Sequence, residues 1–390
     1  MQLRRQTKGS RGSRAGVLAI AGTRPEVIKL APVIRSLHRL RTGSPVKLCV
    51  INQQHDILRQ ALADFHLTPD FDIQLDLRRF EIGDTLGSVV DSLLPVIEAM
   101  MPAIVVVQGD TMTTLGGALA ARYLGIPVAH VEAGLRSSDG VIPFPEETNR
   151  FAVDHISSVL YAPTERARDN LLQEDIAPAS ILVTGNTVVD ALRAVPRRSP
   201  RGQASDPHRK LLLVTGHRRE SFDGPAEDVC SALRTLVTTR PDLSVVYVTH
   251  PNPKAAMPPQ YLLAGMPRTQ VTPPMSYPQF INLLRQAFLA ITDSGGIQEE
   301  APYLGVPVLV TREETERQEA LEMGVARLVG TDRETIIHSV LKLADDPGEY
   351  AAMARRVQPF GKGNAASCIA RELTHRLEPA TDAEPERAVG

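Results

Sequence analysis

The strongest constraint on the fold is a repeated alternation of short apolar runs with longer segments of helical periodicity. The apolar runs are almost uninterrupted, as in parallel strands that helices cover on both faces. Most of them end at a Gly, Asp, Thr or His and pass into a helical pattern, as βαβ units do. The sequence therefore predicts an α/β fold. The runs are "GVLAIAG", "VKLCVIN", "AIVVVQGD", "IPVAHVEAG", "SVLYAPT", "SILVTGN", "KLLLVTG", "SVVYVTH", "FLAITDSGG", "VPVLVT" and "ARLVG".

The runs fall into two groups on either side of residues 193–209, a segment rich in Pro, Arg and Ser that has no apolar period. Such a segment is typical of a linker or a surface excursion. A chain of 390 residues is also long for one domain. We therefore predict two doubly wound domains, residues 15–192 and 210–365. Ligands of such sheets bind outside the carboxyl ends of the strands, so the site is expected in the cleft between the domains.

The composition excludes several classes of function. The formal net charge of −2 provides no global field for nucleic acid or an anionic membrane, and no apolar stretch approaches the roughly 20 residues that span a bilayer. The cysteines, Cys49, Cys230 and Cys368, form no Cys-x-x-Cys pair, so the sequence predicts no metal site and a reduced, cytoplasmic protein. The polar ends, residues 1–14 and 379–390, are predicted to be disordered.

A candidate phosphate site lies in "DSGGIQEEAP", residues 293–302, which follows the apolar run "FLAIT". Ser294 suits the N-cap of a helix, and Gly295 and Gly296 let the backbone approach a ligand closely. The free N–H groups in the first turn of such a helix suit a diphosphate. The alternative is an ordinary glycine turn, after which the acidic residues favour the helix N-terminus.

Two cations follow the first predicted strand in "GTRPEVIKLAP", residues 22–32. Pro25 fits the first turn of a helix, Arg24 lies at the strand end and Lys29 about one helical turn beyond it. Both side chains can bind phosphate oxygens, and arginine can do so with two hydrogen bonds. The alternative is that these are charges on a solvated helix face.

Several carboxylates also follow apolar runs. Asp110 ends "VVVQGD" and Glu132 ends "VAHVE", whereas Glu146 begins a predicted helix after Pro145. A cluster of this kind can divide general acid and base roles. For Asp110 the alternative is a helix N-cap; for Glu146 it is a favourable charge at a helix start. His217, in "VTGHRRESF", is a candidate for phosphate binding or proton transfer.

Taken together, these segments resemble the non-hydrolysing UDP-N-acetylglucosamine 2-epimerases, in the family's order and over roughly residues 16–378. The resemblance implies two Rossmann-like domains facing a cleft, the glycosyltransferase-B-like architecture, with a C-terminal helix, residues 366–378, returning to the first domain. The matching stretches are "GTRPEVIKLAP", "QHD", "QGDTMTT", "HVEAGLRS", "PEETNR", "TGNTVVDAL", "TGHRRESF", "DSGGIQEEAPYLGVPVLV" and "TER".

The resemblance also assigns roles to single residues. It implies that the Ser-Gly-Gly backbone holds the UDP diphosphate and that Glu300 accepts hydrogen bonds from the ribose hydroxyls. Arg317 and Phe280 are implied UDP contacts, and the cations balance the diphosphate. Glu299 has no implied role and is expected to face solvent.

The implied reaction inverts C2 of the sugar of UDP-N-acetylglucosamine through a 2-acetamidoglucal, with no metal or nicotinamide cofactor. Asp110, Glu132 and Glu146 are the acid and base candidates, with no assignment to a face of the ring. Three alternatives stay open: a hydrolysing relative that releases N-acetylmannosamine and UDP, a glycosyltransferase of the same fold, and a silent nucleotide-sugar-binding protein. The family resemblance further implies a homodimer.

This chain departs from the family's pattern at Met275 and Gln318, where glutamine and proline are usual. It also departs in "DLRRFEIGDTL" and at Ile57, near residues that contact an activating substrate molecule in bacterial relatives. We therefore predict that activation by substrate is weak or absent. The matching candidate regulatory residues are Gln54, His55, Glu147 and Arg218.

Overall fold

The computed structural model describes residues 16–41, 43–52, 55–75, 82–137, 144–197, 209–216, 225–250 and 253–378. The two predicted tails and most of the predicted linker lie outside these ranges, as do Gln54, His217, Arg218 and the side chain of His55. In these ranges the chain forms two parallel sheets, each covered by helices. The predicted α/β class with two doubly wound sheets is confirmed.

The first sheet has the strand order β3-β2-β1-β4-β5-β6-β7, and all its pairings are parallel. This order places β1 and β4 side by side at the point where the chain reverses direction across the sheet. The strands are β1 (Val17–Ala21), β2 (Val46–Asn52), β3 (Phe71–Gln74), β4 (Ile104–Gln108), β5 (Val128–Val131), β6 (Val159–Ala162) and β7 (Ile181–Val183).

The helices of this half alternate with its strands, and a short 3-10 helix (Pro178–Ser180) precedes β7. They are α1 (Arg24–Leu40), α2 (His55–Asp64), α3 (Ile82–Met100), α4 (Met112–Tyr123), α5 (Glu146–Ile156), α6 (Glu165–Gln173) and α7 (Thr187–Ala194).

The second sheet has the order β10-β9-β8-β11-β12-β13, again wholly parallel. Its strands are β8 (Lys210–Thr215), β9 (Leu243–Val248), β10 (Thr269–Thr272), β11 (Leu289–Thr292), β12 (Val308–Val310) and β13 (Ala326–Leu328). Its helices are α8 (Pro225–Thr239), α9 (Pro253–Leu262), α10 (Tyr277–Leu284), α11 (Gly295–Leu304), α12 (Gln318–Glu322), α13 (Arg333–Asp345) and α14 (Pro347–Met353).

The last helix, α15 (Ala365–Leu377), packs on the first half of the molecule although it follows the second half in sequence. Ala366, Ile369 and Leu373 on this helix are buried with side chains of α1. Tyr161 of β6, which is buried in the same cluster, donates a hydrogen bond to Glu372 of α15. The helix therefore fastens the end of the chain to the first sheet.

The two halves also share one apolar cluster. Ile28 and Ala31 of α1 and Val188 of α7 are buried together with Phe280 of α10 and Val308 of β12. Burial of this kind stabilises the contact between the halves by roughly 25 cal/mol for each Å² of apolar surface removed from water. The site described below lies beside this shared core. No helix in the described ranges is long and apolar enough to cross a membrane.

Candidate active site

The candidate site is formed where the two halves meet. Side chains that follow β1 and β5 of the first sheet make ion pairs with side chains that follow β11 and β12 of the second. These are the carboxyl ends of parallel strands, the edge at which open α/β sheets bind ligands. The predicted position of the site in the cleft therefore agrees with where these charges converge.

The second sheet contributes the start of α11. Ser294 is its N-cap residue, as predicted, although its side chain makes no capping hydrogen bond. A Cβ atom on Gly295 would lie 2.7 Å from Cζ of Arg317, so only glycine lets the guanidinium lie against the helix start. At Gly296 a Cβ would meet, within 4 Å among the described residues, only Ser294 Oγ, at 3.9 Å. The first turn thus offers N–H groups, the positive end of a helix dipole and an adjacent guanidinium.

A buried cluster of four charges connects the two sheets. Lys29 donates to Glu132 and lies 3.3 Å from Glu299 Oε2. The Arg317 guanidinium lies 2.8 Å from Glu299 Oε1 and 3.6 Å from Glu132 Oε1. Each domain therefore contributes one cation and one carboxylate. The expectation that Glu299 faces solvent was wrong: it is 1% exposed, because its partners Lys29 and Arg317 cover it.

The cluster favours the charged forms of Glu132 and Lys29. Burial alone would raise the pKa of Glu132, but Lys29 and Arg317 outweigh it and place that pKa below its usual value. Burial would likewise lower the pKa of Lys29, and the two carboxylates outweigh it. Burial raises the pKa of Glu299. Asn186 also donates to Glu132 Oε2, at 2.7 Å, so this carboxylate is held as a fixed anion.

Glu132 has an unusual backbone. It follows the end of β5 with a φ of 71°, a left-handed conformation that residues other than glycine adopt rarely. Its N–H and that of Ala133 both donate to the carbonyl of Tyr161, at 3.1 Å. Strain of this kind costs about 1–3 kcal/mol and is found mostly at functional sites. The turn therefore directs the carboxylate of Glu132 towards Lys29 instead of continuing the strand.

A second ion network surrounds Arg150 of α5, a fully buried arginine. It donates to Asp110 and to Glu147, and its Nη2 lies 3.9 Å from Glu316 Oε1 of the second domain. The alternative for Asp110, the N-cap position of α4, was wrong. Thr111 is the N-cap residue, and its side chain accepts a hydrogen bond from the Thr114 N–H. The Asp110 carboxylate is therefore left to pair with Arg150.

The second network joins the first through Glu316. Its carboxylate pairs with Arg312 and with Arg317, each at 2.8 Å, so Arg317 belongs to both networks. Glu147, a candidate regulatory residue, is buried here and accepts from the Ser137 N–H at 3.2 Å. Glu146 begins α5, as predicted, and is half-buried, but it is Glu147 whose carboxylate bonds Arg150.

Glu300 follows Glu299 on α11, but its environment differs from that of Glu299. Burial raises its pKa to about 7, and the charge of Glu299 acts in the same direction, whereas Tyr277, Lys29 and Arg24 oppose it. Arg24 is half-buried, and burial lowers its pKa while Asp64 and Glu300 oppose that shift. Arg24 and Glu300 are therefore neighbours across the domain boundary.

Phe280 and Met275 lie at the boundary between the two domains. Phe280 is buried in the apolar cluster that the two domains share, and Met275 packs against the same cluster. The departure at Gln318 is the first residue of α12, for which Arg317 is the N-cap residue.

Three residues of the site carried no role in the sequence analysis although each lies in a matching stretch. Glu26 accepts from the N–H groups of Gly22 and Thr23 and from the Thr111 hydroxyl, so it ties the start of α1 to the start of α4. Arg150 and Asn186 hold the two candidate carboxylates. For Arg150 the sequence did contain a signal, an acidic residue three positions earlier on the same predicted helix. Within the described part of the chain, no group of three or more His, Cys, Asp or Glu side chains is arranged to hold a metal ion.

Solved structures place this fold in a known class. A kitacinnamycin glycosyltransferase superimposes with a TM-score of 0.64 at 15% identity, which shows a shared fold. An S. aureus protein, MnaA, in complex with UDP gives a TM-score of 0.89 at 36% identity, covering 93% of this chain and 97% of its own. The protein is thus a two-domain α/β protein of the glycosyltransferase-B-like class.

The family follows from closer relatives. The family model for UDP-N-acetylglucosamine 2-epimerase matches residues 38–374. The UDP-N-acetylglucosamine 2-epimerase of Escherichia coli K12 is 42% identical over 368 residues, covering 92% of this chain and 98% of its own. That of Neisseria meningitidis, solved with UDP-GlcNAc bound, is 37% identical with a TM-score of 0.87, covering 92% of this chain and all of its own. The chain belongs to the UDP-N-acetylglucosamine 2-epimerase family, which confirms the resemblance and makes the protein an isomerase.

Proposed function

We propose that this protein interconverts UDP-N-acetylglucosamine and UDP-N-acetylmannosamine without hydrolysis. The observation that carries the proposal is the presence of two carboxylates, Glu132 and Asp110, at neighbouring strand ends. Each of them accepts a hydrogen bond from a buried cation. Arg317, from the domain that supplies the glycine-rich helix start, approaches Glu132, and Glu316 of the same domain approaches Arg150, the partner of Asp110. A glycosyltransferase needs the helix start but has no need of this acidic pair.

In the proposed complex the diphosphate binds at the first turn of α11. The N–H groups of Gly295 and Gly296, together with Arg317 and Lys29, neutralise its charge. Glu300 lies one helical turn further along, where its carboxylate accepts hydrogen bonds from the ribose diol. The opening "SGG" and the later glutamate thus serve different parts of one nucleotide, and Phe280 serves the uracil end.

The chemical step removes the proton from C2 and breaks the bond between C1 and the UDP oxygen, which leaves a C1–C2 double bond in a 2-acetamidoglucal. UDP then re-adds to C1 as C2 receives a proton on the opposite face. The C2 proton is only weakly acidic, so stabilising the departing diphosphate with fixed cations is essential. Asp110, Glu132, Glu146 and His217 are the proposed proton donors and acceptors.

The test is to incubate the protein with UDP-N-acetylglucosamine in deuterated water and to follow the sugar by NMR. We expect deuterium at C2 of both epimers and no free sugar. Free N-acetylmannosamine in place of its UDP ester would establish a hydrolysing enzyme, and absence of both exchange and product would leave a binding protein. Glu132→Gln, assayed in parallel, controls for exchange by a contaminating enzyme.

Two further expectations from the family accompany this proposal. The first is a homodimer, which light scattering coupled to size-exclusion chromatography tests by mass. The second is weak activation by substrate, for which Ile57, half-buried on α2, is the described departure. The reverse reaction from UDP-N-acetylmannosamine should then start without a lag. A trace of UDP-N-acetylglucosamine should leave its onset unchanged.

A further inference from the structure

A buried histidine lies directly beneath the two loops that carry Asp110 and Glu132. His130, on β5, is completely shielded from solvent. Its Nε2 lies 2.8 Å from the carbonyl oxygen of Gly109, and its Nδ1 lies 2.7 Å from Asp154 Oδ1. Neither contact belongs to the ion networks described above.

The two partners of His130 fix the orientation of its ring. A backbone carbonyl can only accept a hydrogen bond, so Nε2 is the donor to Gly109. Nδ1, on the other side of the ring, lies against Asp154 Oδ1. The ring therefore bridges a main-chain carbonyl and a buried carboxyl group.

Asp154 is held in turn by a chain of charged side chains. Beyond it lies Arg136, whose Nη2 is 2.8 Å from Asp154 Oδ2 and 2.6 Å from Glu174 Oε2. Glu174 reaches the surface, since its side chain is 21% exposed. Burial alone would raise the pKa of Asp154, but His130 and Arg136 outweigh it and place that pKa below its usual value. The pairing with Arg136 offsets much of the cost of burying the Asp154 carboxylate.

Both loops are attached to this pair. The Gly109 carbonyl belongs to the peptide bond that precedes Asp110, and the Gly109 N–H donates to Val131 of β5 at 3.1 Å. Asp154 Oδ2 accepts from the Gly134 N–H at 3.1 Å, in the turn that begins at Glu132. The His130 ring and the Asp154 carboxylate thus connect the Asp110 loop to the Glu132 turn.

We propose that His130 is a positioning residue whose ring, together with Asp154, sets the separation and orientation of Asp110 and Glu132. This proposal rests on the proposed function for its kinetic consequences. It adds a residue that touches no substrate and acts through the backbone of two others. Loss of the ring would leave the Gly109 carbonyl without its donor and remove the contact with Asp154, and the two loops would no longer be held against each other.

The first experiment tests the Nε2 hydrogen bond of His130 in the wild-type protein and is independent of the reaction. The chain has ten histidines, so selective ¹⁵N-histidine labelling gives a tractable spectrum. We expect a ring N–H that persists after transfer to deuterated water, because His130 is shielded from solvent and its Nε2 donates to Gly109. The N–H of an exposed ring such as that of His338 should exchange at once. Absence of any slowly exchanging ring N–H would overturn the proposal.

The second experiment separates positioning from folding. His130→Gln keeps one donor for Gly109 but loses the contact with Asp154, and we expect kcat to fall by about 10–100-fold, the scale of a small misplacement of catalytic groups. KM and UDP affinity should change by less than about threefold, since His130 contacts none of the groups that we propose to bind the nucleotide. His338→Gln should match wild type in all three.

Asp154→Asn provides the coupling test. If His130 and Asp154 act as one unit, the double variant should lose no more kcat than the worse single variant. Unchanged kcat in a folded His130→Gln protein would contradict the proposal, as would parallel losses in kcat and UDP affinity, which indicate general loosening. If these variants fail to fold, the ¹⁵N measurement on wild type still tests the hydrogen bond from Nε2 to Gly109. A wild-type protein without epimerase activity would refute the proposed function but not this hydrogen bond.

Discussion

The two sheets share one strand order, yet they place different chemistry at their carboxyl edges. In the first sheet the loops after β4 and β5 present carboxylate side chains, Asp110 and Glu132, each held by a cation. In the second sheet the loop after β11 presents backbone, with Gly295 and Gly296 at a helix start. The same topology thus supports proton transfer on one side and anion binding on the other, because the edge residues and not the strand order decide the function.

Each domain also provides a cation that interacts with a carboxylate of the other domain. Lys29 of the first domain pairs with Glu299 of the second, and Arg317 of the second approaches Glu132 of the first. The cations that we assign to the diphosphate therefore also hold the carboxylate that we assign to C2. Substitutions at the carboxyl edge of the first sheet should alter turnover, and those at the edge of the second sheet should alter UDP affinity. Substitutions of the shared cations should alter both.

The largest expected effect is that of Glu132→Gln. Turnover should fall by about 10²–10⁴-fold, the usual contribution of a general acid or base. UDP affinity, measured by calorimetry, should stay the same or rise, because Lys29 and Arg317 lose a competing carboxylate.

Glu299→Gln is the matched control, since it removes the other carboxylate from the same two cations. Its effect on turnover should be much the smaller of the two, because Glu299 has no proposed part in proton transfer. Near-normal turnover in Glu132→Gln, or equal losses in both variants, would reassign Glu132 to a structural role.

The second prediction concerns the other edge. Glu300→Ala should weaken UDP binding by about 10–150-fold, the equivalent of one charge-assisted hydrogen bond worth roughly 1.5–3 kcal/mol. Inorganic diphosphate has no ribose, so its competition with UDP for the wild type and its direct binding to the variant supply the control. Binding of diphosphate should be unchanged. A loss shared equally by UDP and diphosphate would place Glu300 at the phosphates and break the proposed division of the nucleotide.

The accuracy of the sequence analysis differs between the middle and the edges of each sheet. β1 and β4 are buried along their whole length, so their apolar runs identify them directly. β3, "FDIQ", alternates half-buried and exposed residues, and β10, "TQVT", is half-buried throughout. Neither of these two edge strands was predicted, because their half-buried and exposed residues form no continuous apolar run, whereas the edge strands β7 and β13 lie in the runs "SILVTGN" and "ARLVG".

The site shows a similar contrast. Residues placed by a strand end or a helix start, such as Glu132 and Ser294, could be predicted from local pattern. Glu299 could not, because its partner Lys29 lies 270 positions away and only the folded chain brings them together. For the same reason the roles of Arg150 and Asn186 follow from contacts between elements and not from their neighbours in the sequence.

The third prediction uses the raised pKa of Glu300, about 7. If the ribose diol binds the ionised carboxylate, affinity is fully present above pH 7 and is lost as the pH falls through it. UDP binding should then weaken by about tenfold for each pH unit below 7. UDP itself titrates near this range, so the quantity to measure is the difference in pH dependence between wild type and Glu300→Gln. An equal pH dependence of UDP binding in the two proteins would show that ionisation of Glu300 does not control UDP affinity.

The smallest effect is expected at Glu26, which has no counterpart at the glycine-rich edge. Burial raises the pKa of Glu26 from 4.5 to about 7. The folded protein therefore keeps this proton over a range in which the unfolded chain has lost it, so the group's contribution to stability is present below pH 4.5 and declines as the pH rises through 7. The span corresponds to about 3 kcal/mol.

The measurement is Tm for wild type and Glu26→Gln from pH 5 to pH 8. Glutamine is neutral throughout, and its amide can still accept from the Gly22 and Thr23 N–H groups while donating to the Thr111 hydroxyl. The variant should lie below wild type at pH 5 and draw level with it or exceed it by pH 8, a relative change of a few degrees. Curves that run parallel would mean that Glu26 ionises as freely in the folded protein as in the unfolded chain. The tie between α1 and α4 would then be held by a carboxylate at every pH, and the first edge would carry a third fixed anion beside Asp110 and Glu132.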